Sequence, residues 1–232
     1  MIGVQARSNS ARLPDKIHLK IDGKTVLQHV VDNCQDAADF LNRNQNKFDC
    51  HVCLNVLVPY GDKVEREFKC RNGQRIMAWP DLDENDVLSR YVRAARLEQA
   101  DFIVRVTADC VLLPSFLISR HIKTALIRGC DYTSNVAIRT FMEGMDCEVL
   151  SIGLLDLMDR TIKGSGREHI ANGVVAAQFY RKFTKCHIFE NLDLSKFKTS
   201  IDTEEDYQQA KALLESLREK KLEAERYGEE IA

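Results

Sequence analysis

The chain alternates short apolar runs with stretches of helical periodicity, and this alternation is the feature that most restricts its fold. The apolar runs at 2–5, 50–58 and 101–106 have the length and composition of strands. The run at 50–58 is apolar almost throughout, as expected for a strand buried on both faces of a parallel sheet. Helical spacing between these runs completes repeated strand–helix units. The sequence therefore predicts an α/β fold with a mostly parallel sheet and helices on both faces.

The remaining predicted elements follow from the same periodicities. Helices are predicted at 25–41, 62–70, 86–99, 114–128, 152–161, 168–177 and 203–227, and further strands at 75–78, 131–136, 147–151 and 183–189. A single domain over 1–232 is expected, with an irregular α+β insertion near 137–190 that acts as a lid or dimer element. The last helix carries one apolar stripe, formed by Leu213, Leu214, Leu217 and Leu222.

The overall composition argues against several classes of protein. The net charge is −2 and the pI is near 6.3, so a nucleic-acid partner is not expected. No apolar run approaches the ~20 residues that a membrane-spanning helix needs. No signal-peptide pattern opens the chain. We therefore expect a cytoplasmic protein without a membrane partner.

Eight cysteines are scattered along the chain, and only Cys50 and Cys53 are closely spaced. Because both fall in the predicted strand at 50–58, their side chains would point to opposite faces, which is a poor geometry for zinc. No second close pair supplies further ligands. We therefore expect buried, reduced thiols rather than a metal or redox site.

A polar loop with three cations follows the first strand. It carries Arg7, Arg12 and Lys16, with two serine hydroxyls between the arginines. Such a loop is ordinarily a solvated connection. Here the donors are dense, and they fall where an α/β sheet binds ligands, outside the carboxyl ends of its strands. Backbone N–H groups and arginine side chains suit a polyphosphate, so this loop is predicted to bind one.

Two aspartates are candidate metal ligands. Asp109 follows the predicted strand at 101–106 and faces the same crevice as the first loop. It would otherwise cap the next helix, but Ser115 lies closer to that helix start, so we favour a metal-binding carboxylate. Asp202 precedes the last helix, and its role stays open. Thr203 and Asp206 have the spacing of a capping box, which would leave Asp202 free, but Asp202 could equally be the N-cap itself.

Two further groups of charged residues are weaker signals. Asp146 and Glu148 alternate along a predicted strand and share one face, which is more typical of a solvated surface. Arg167, Glu168 and His169 are equally explained as the start of a helix.

Taken together, these residues occur in the order and spacing of a known family. The motifs are Gln-Ala-Arg-x-x-Ser-x-Arg-Leu-Pro-x-Lys at 5–16, Glu-x-Asp-Val-Leu-x-Arg-Tyr at 84–91, Val-Arg-x-Thr-Ala-Asp-Cys at 104–110, Asp-Tyr-x-Ser-Asn-Val at 131–136, Arg-Thr at 139–140, Gly-x-Asp-x-Glu-Val at 144–149, Arg-Glu-His at 167–169 and Asp-Thr-x-x-Asp at 202–206. With them, residues 2–210 resemble the cytidylyltransferase family of spore-coat polysaccharide biosynthesis proteins. These are similar to the enzymes that activate sialic acid, pseudaminic acid and 3-deoxy-manno-octulosonate with CTP.

The resemblance implies a nucleotide-diphospho-sugar transferase fold and Mg²⁺-dependent nucleotidyl transfer. It implies catalytic roles for Arg7, Arg12, Lys16 and Asp109, and metal binding by Asp109 and Asp202. Nucleotide binding is implied for Ala6, Arg7, Ser10, Arg12, Lys16, Pro59, Asp86, Arg90 and Thr107. An acceptor pocket is implied for Arg139, Asp146, Glu148, Arg167, Glu168 and His169.

The sequence departs from the family pattern in the two regions expected to meet the nucleotide. Ser8 and Asn9 replace a Met-Gly pair, and Asp15 replaces a glycine. Asn tolerates a left-handed conformation, so we expect Asn9 to keep the turn. The segment at 57–62 lacks the Ala-Thr that is common after the second strand, so the preference for cytosine comes from the family alone.

The predicted reaction is transfer of CMP from CTP to an anionic acceptor with release of pyrophosphate. The acceptor is either a sugar acid or a small phosphorylated or phosphonate compound, and the product would serve surface polysaccharide or glycoconjugate synthesis. Two alternatives are a glycosyltransferase of the same fold, which would use a nucleotide-sugar donor, and a non-catalytic nucleotide-binding relative. A homodimer is expected, because the insertion would gain burial by packing on a partner.

Overall fold

A computed structural model describes residues 1–71, 73–168, 170 and 183–227, with side chains of the last helix described up to residue 220. Within these ranges, one sheet contains seven strands: β1 (Ile2–Gln5), β4 (Leu54–Leu57), β5 (Arg75–Met77), β6 (Phe102–Thr107), β7 (Tyr132–Ser134), β8 (Glu148–Ser151) and β9 (Lys185–His187). Two short strands, β2 (Lys20–Ile21) and β3 (Lys24–Thr25), form a separate hairpin.

The helices of the described residues are α1 (Val26–Arg43), α2 (Gln45–Phe48), α3 (Lys63–Glu67), α4 (Val87–Leu97), α5 (Ser115–Arg128), α6 (Ile152–Thr161) and α7 (Glu204–Tyr227). Short 3₁₀ turns lie at Lys16–His18 and Gly164–Arg167. Several helices begin at a side-chain cap, as the sequence requires. The Thr25 hydroxyl accepts from the Gln28 N–H at 3.1 Å, and the Asp62 carboxylate accepts from the Val64 N–H at 2.9 Å.

The sheet has the strand order β5-β4-β1-β6-β8-β7-β9. Strands β5, β4, β1 and β6 pair in parallel, whereas β8 is antiparallel to both of its neighbours. The predicted α/β class with a mostly parallel sheet is therefore confirmed. Because β1, β4 and β6 run in the same direction, the loops that follow them meet at one edge of the sheet.

Helices cover both faces of the sheet, as predicted. Apolar side chains of α1 and α5 pack on one face, together with Ile2 and Val4 of β1. Helices α4 and α6 pack on the other face. There, Gly3 lets Tyr91 approach β1, since a Cβ at position 3 would lie 2.6 Å from the Tyr91 ring.

Three details of the sequence prediction are wrong. Strand β4 begins at Leu54, not at residue 50, so Cys50 and Cys53 lie in the preceding loop. In α7, Leu214 packs against a small core cluster, whereas Leu213 and Leu217 are exposed, so the described part of the predicted stripe is narrower; the side chain of Leu222 lies outside the described residues. Cys130, just before β7, and Cys186 of β9 form a disulfide and are not free thiols, with their Cα atoms 6.1 Å apart.

Two predictions fall partly or wholly outside the described residues. The helix at 168–177 belongs mostly to the part of the chain that the structure does not describe, and the role of 137–190 as a lid or dimer element stays a prediction. Among the described residues, no helix is long and apolar enough to cross a membrane.

Candidate active site

A cavity of about 220 Å³ lies at the sheet edge where β1 and β6 end. Its walls come from the first loop, from the loop after β6 and from the segment before α7. The lining residues are Gln5, Arg7, Ser10, Ala11, Arg12, Lys16, Ile17, Thr107, Ala108, Asp109 and Asp202. Six of the predicted site residues therefore share one cavity with Asp202, although they are far apart in the sequence.

Lys16 joins two acidic side chains in the wall of this cavity, and we call Lys16, Asp109 and Asp202 the cavity cluster. The Lys16 ammonium donates to Asp109 Oδ2 at 2.6 Å, to Asp202 Oδ1 at 2.9 Å and to the carbonyl oxygen of Ile201 at 2.6 Å. An ammonium group has three N–H donors, so all of them are used. Oxygens from two separate parts of the chain thus surround one positive charge.

The local structure leaves both carboxylates free for this contact. Helix α5 has Pro114 at its N-cap position, so Asp109 does not cap it. At the start of α7, the Thr203 hydroxyl accepts from the Asp206 N–H at 3.2 Å, and the Asp206 carboxylate accepts from the Thr203 N–H at 2.9 Å. This reciprocal pair is a capping box, so Thr203 is the cap and Asp202 turns into the cavity.

Asp202 has further cationic partners beside Lys16. Arg12 lies 2.8 Å and Lys198 3.2 Å from its carboxylate oxygens. Burial opposes the charge of Asp202, but the hydrogen bonds and charges of Lys16 and Lys198 outweigh burial and hold its pKa below the ordinary value. The carboxylate is therefore ionised at neutral pH, as a metal ligand must be.

Arg7 and Arg12 lie on either side of the turn in the first loop. Arg7 donates to Asn85 Oδ1 at 3.2 Å and pairs with Glu168 at 3.0 Å. The Arg12 side chain is 66% exposed even though it contacts Asp202. Each cation of the first loop thus has an acidic partner within the protein.

The donor set of the cavity cluster fits a hard divalent cation. Two carboxylate oxygens and the Ile201 carbonyl oxygen surround the Lys16 ammonium, and oxygen donors are the ligands that Mg²⁺ prefers. Among the described residues, no three His, Cys, Asp or Glu side chains form a metal-binding group. The protein would therefore supply two carboxylates, which is the usual number when phosphate oxygens and water complete the coordination of Mg²⁺.

Glu148 does not line this cavity, and its predicted contact with an acceptor stays a prediction. It is fully buried in β8, pairs with Arg105 at 2.8 Å and accepts a hydrogen bond from the Tyr132 hydroxyl. We call Arg105, Tyr132 and Glu148 the core cluster. Burial opposes the charge of Arg105, but Glu148 outweighs it and raises the pKa of the guanidinium.

Arg167 is also committed to structural contacts. Its five N–H donors have five acceptors: Asp86 Oδ1, the Ser89 hydroxyl, Asp159 Oδ1 and the carbonyl oxygens of Asp159 and Ile162. A guanidinium has no further donor to offer an acceptor molecule. In this arrangement Arg167 joins the start of α4 to the end of α6, and its predicted role in the acceptor pocket stays a prediction.

Two predicted nucleotide-binding residues have structural partners as well. Asp86 caps α4 by accepting from the Ser89 N–H at 3.0 Å, while it also pairs with Arg167. Arg90 is 1% exposed and donates to the carbonyl oxygens of Asp83 and Glu84, so it fixes the loop before α4. Burial prevents Arg90 from contacting a nucleotide in this arrangement.

The other predicted site residues are dispersed. Ala6 and Pro59 are buried outside the cavity, whereas Ser10 and Thr107 line it. Arg139 makes a bidentate pair with Asp146 at 2.6 and 3.0 Å. This pair lies near Cys110, the neighbour of Asp109, because its charges act on the thiol and are acted on by it. His169 lies outside the described residues.

Comparison with known proteins agrees with this geometry. A family model described as Cytidylyltransferase matches residues 1–50. The spore coat polysaccharide biosynthesis protein SpsF of Bacillus subtilis (strain 168) is 24% identical over 223 residues, which cover 94% of this chain and 87% of SpsF. A solved structure of a cytidylyltransferase from Leptospira borgpetersenii serovar Hardjo-bovis (strain JB197) superposes with a TM-score of 0.78 at 29% identity, covering 90% of this chain and 84% of that one.

The chain is therefore similar to cytidylyltransferases, and the comparisons support a nucleotidyltransferase that uses CTP. A structure of CMP:2-keto-3-deoxy-manno-octonic acid synthetase complexed with CTP has the same fold, with a TM-score of 0.65 at 14% identity over 93% of this chain and 98% of that one.

The departures from the cytidylyltransferase pattern have defined places in the first loop. Asp15 adopts a left-handed conformation with φ 58°, whereas Asn9 is not among the described residues with positive φ. The expectation that Asn9 keeps the turn is therefore wrong, and position 15 needs the freedom that glycine would give. Asn9 instead donates to Glu84 at 3.1 Å.

Sequence reasoning missed several features of the structure. Gln5 lines the cavity, and its buried amide oxygen has no hydrogen-bond partner among the described residues. Its position at the end of β1, just before the first loop, is the sequence feature that could have identified Gln5 as a cavity residue. A larger cavity of about 450 Å³ lies at the opposite edge of the sheet. Cys50 and Cys53 both line it, so the expectation of opposite faces is wrong, because neither residue is in the strand.

Proposed function

We propose that the protein transfers CMP from CTP to an anionic acceptor and releases pyrophosphate. The observation that carries this proposal is the cavity cluster, in which Lys16, Asp109 and Asp202 meet beside Arg12 at the carboxyl ends of β1 and β6. This arrangement places cations and metal-binding oxygens together, which is what in-line nucleotidyl transfer requires. Similarity to cytidylyltransferases supports CTP as the donor.

Asp109 and Asp202 would hold Mg²⁺, with the Ile201 carbonyl oxygen beside them. The bound metal ion supplies charge neutralisation to the phosphate groups. Because Lys16 lies among the same oxygens, its ammonium is expected to turn to the phosphates when the carboxylates bind the metal. Arg7 and Arg12 would likewise leave their carboxylate partners and stabilise the departing pyrophosphate. The protein thereby acts by positioning and by electrostatic stabilisation.

The acceptor is proposed to bind next to the cavity cluster, on the side of Arg139. That guanidinium is half-buried and pairs with Asp146, so it can offer its remaining N–H groups to a carboxylate, phosphate or phosphonate. Glu168 contributes indirectly, because it holds Arg7. The name of SpsF supports a role in surface polysaccharide synthesis, and the synthetase structure of the same fold supports a sugar acid as the acceptor. A small phosphorylated or phosphonate compound satisfies the same charge. We further propose a cytoplasmic homodimer.

The test is a pyrophosphate-release assay with CTP, Mg²⁺ and a panel of sugar acids and phosphonates. We expect Asp109→Asn to lower turnover about a thousandfold, or ~4 kcal/mol in activation free energy, with the melting temperature little changed. The matched control is Asp81→Asn, which removes an exposed carboxylate that pairs with Arg93 and does not line the cavity. Near-normal pyrophosphate release by Asp109→Asn would contradict the metal assignment.

The same assay separates the two alternatives. A glycosyltransferase would release a nucleoside diphosphate from a nucleotide sugar and no pyrophosphate from CTP. A non-catalytic relative would bind CTP, shown by a raised melting temperature, without turnover of any acceptor. Comparing the four nucleoside triphosphates by thermal shift tests the preference for cytosine.

A further inference from the structure

Ser8 uses all of its polar groups to hold the first loop. Its N–H donates to Asp62 Oδ2 at 2.8 Å, and its hydroxyl lies 2.6 Å from Asp62 Oδ1 and 2.8 Å from His18 Nε2. Its carbonyl oxygen accepts from the Asp15 N–H at 3.0 Å. One residue thus contacts the loop after β4, the end of the first loop and the 3₁₀ turn that follows it.

The directions of these hydrogen bonds follow from the groups involved. An ionised carboxylate only accepts, so the single hydroxyl proton of Ser8 goes to Asp62. The Ser8 oxygen must then accept from His18 Nε2, which therefore carries a proton. Asp62 is itself fixed, because it caps α3 by accepting from the Val64 N–H at 2.9 Å. Ser8 is therefore tied to an anchored acceptor and not to a mobile surface side chain.

The Ser8 contacts differ in kind from the ion pairs of the first loop. Arg7, Arg12 and Lys16 pair with Glu168, Asp202 and Asp109, and a polyphosphate would compete for each of these cations. The bonds from Ser8 to Asp62 involve no cation of the loop. They are compatible with ligand binding, so they can hold the loop while its cations exchange partners.

The Ser8 contacts also set the distance between those cations. The Asp15 N–H bond to the Ser8 carbonyl closes the turn between Arg7 and Lys16, and Asp15 adopts φ 58° within it. Loss of the Asp62 contact would free the start of this turn. The loop would then have to be ordered at the moment of binding, which lowers affinity.

We propose that Ser8 is a positioning residue for the triphosphate, acting through Asp62 with His18 as a second partner. This inference rests on the proposed function, since it assumes that the first loop binds phosphates. It gives a role to the serine that stands where the family pattern has methionine. Ser8 does not touch the reacting atoms in this scheme, because it acts by fixing Arg7 and Lys16 relative to each other.

Asp62→Asn is a matched second variant for this test. Asn is as good an N-cap as Asp, so the cap of α3 is retained. Its amide can accept only through one oxygen, so it cannot accept from both the N–H and the hydroxyl of Ser8 while capping α3. Ser8→Ala removes the hydroxyl directly, and Ser8→Thr restores it.

The experiment measures binding of inorganic tripolyphosphate and of CTP, each with Mg²⁺, by calorimetry. We expect Ser8→Ala and Asp62→Asn each to weaken both ligands about tenfold, the double variant to be no weaker than either single variant, and Ser8→Thr to bind within about threefold of the wild type. In turnover, KM for CTP should rise by a similar factor while kcat changes less than about threefold. Circular dichroism and melting temperatures establish that each variant is folded.

The outcomes separate this inference from the proposed function. If the wild type binds CTP and releases pyrophosphate while both single variants match it, the role of Ser8 is wrong and the proposed function stands. Additive losses of binding free energy in the double variant would also contradict the role of Ser8, because Ser8 and Asp62 would then act independently. If the wild type binds neither tripolyphosphate nor CTP, both proposals fail.

Discussion

Strand β6 connects two charged clusters that have similar chemistry and different access. The core cluster pairs Arg105, in the interior of the strand, with a fully buried Glu148. The cavity cluster includes Asp109, just beyond the end of the strand, and borders a cavity of about 220 Å³. In each cluster a cation meets carboxylate oxygens at 2.6–2.9 Å.

The position of the charge relative to the strand end explains this difference. Inside the strand, neighbouring strands and helices cover both faces, so the oxygens of Glu148 are enclosed with Arg105 and Tyr132. Beyond the strand end, the chain turns away and leaves one side of Asp109 open to the cavity. An ion pair in the first position stabilises the core, whereas one in the second position can exchange its partner for a ligand.

The largest expected effect on stability comes from breaking the core cluster. Glu148→Gln leaves the Arg105 charge buried without a counter-ion, and we expect the free energy of unfolding to fall by about 3 kcal/mol. Urea denaturation measures this change. Turnover per folded molecule should stay within about threefold of the wild type, because the cavity is not lined by Glu148. A stable but inactive Glu148→Gln variant would contradict the distinction between the clusters and support its predicted role in acceptor binding.

A second variant tests the backbone contact that positions Asp202. Gly144 has φ 100°, and a Cβ there would lie 2.2 Å from the backbone nitrogen of Ser200. Gly144→Ala would therefore displace the segment that carries Asp202, and we expect a loss of about 2 kcal/mol in unfolding free energy together with weaker CTP binding. The control is Gly153→Ala in α6, where a Cβ meets no atom within 4 Å. If Gly144→Ala and Gly153→Ala have the same unfolding free energy and the same CTP affinity, then residues 199–202 are not positioned by their contact with Gly144.

A third variant asks whether the cation of the cavity cluster is exchangeable. Lys16→Gln removes the ammonium that lies among the oxygens of Asp109, Asp202 and Ile201. Without nucleotide, we expect Mn²⁺ to bind this variant about tenfold more tightly than the wild type, a difference of ~1.4 kcal/mol, because the carboxylates no longer have a competing cation. Titration of the free Mn²⁺ signal by electron paramagnetic resonance measures it.

Lys198→Gln is the matched control for the Lys16 variant. Lys198 also pairs with Asp202, at 3.2 Å, but among the described residues it makes no ion pair with Asp109. Lys198→Gln should therefore change the affinity for Mn²⁺ less than Lys16→Gln does. Equal effects of the two variants would show that general charge, and not the place of Lys16 between the carboxylates, controls metal binding.

Much of the contrast between the core cluster and the cavity cluster can be predicted from the sequence, but the burial of each charge cannot. The apolar runs predict the sheet, the spacing of cations and acids after strands predicts Lys16 and Asp109 as one site, and only the family resemblance adds Asp202. Arg90, Glu148 and Arg167 have the same residue types in equally regular motifs, yet the structure encloses them or saturates their donors. A sequence motif shows that a charged residue occurs at a given position. It does not show whether that charge binds a ligand or stabilises the fold, because this depends on packing between distant segments.

The smallest expected effect concerns the backbone of the first loop, where sequence reasoning chose the wrong residue for the left-handed turn. Asp15 has φ 58°, a conformation that costs a residue with a Cβ about 1 kcal/mol. Asp15→Gly should therefore raise the free energy of unfolding by up to about 0.5 kcal/mol, since the relief of strain is partly offset by the greater freedom of glycine in the unfolded chain. Asp15→Ala, measured in the same urea titrations, should instead be less stable than Asp15→Gly. If Asp15→Ala is as stable as Asp15→Gly, the turn between Arg7 and Lys16 does not depend on a left-handed residue, and the Asp15 bond to Ser8 is not what fixes the spacing of the two cations.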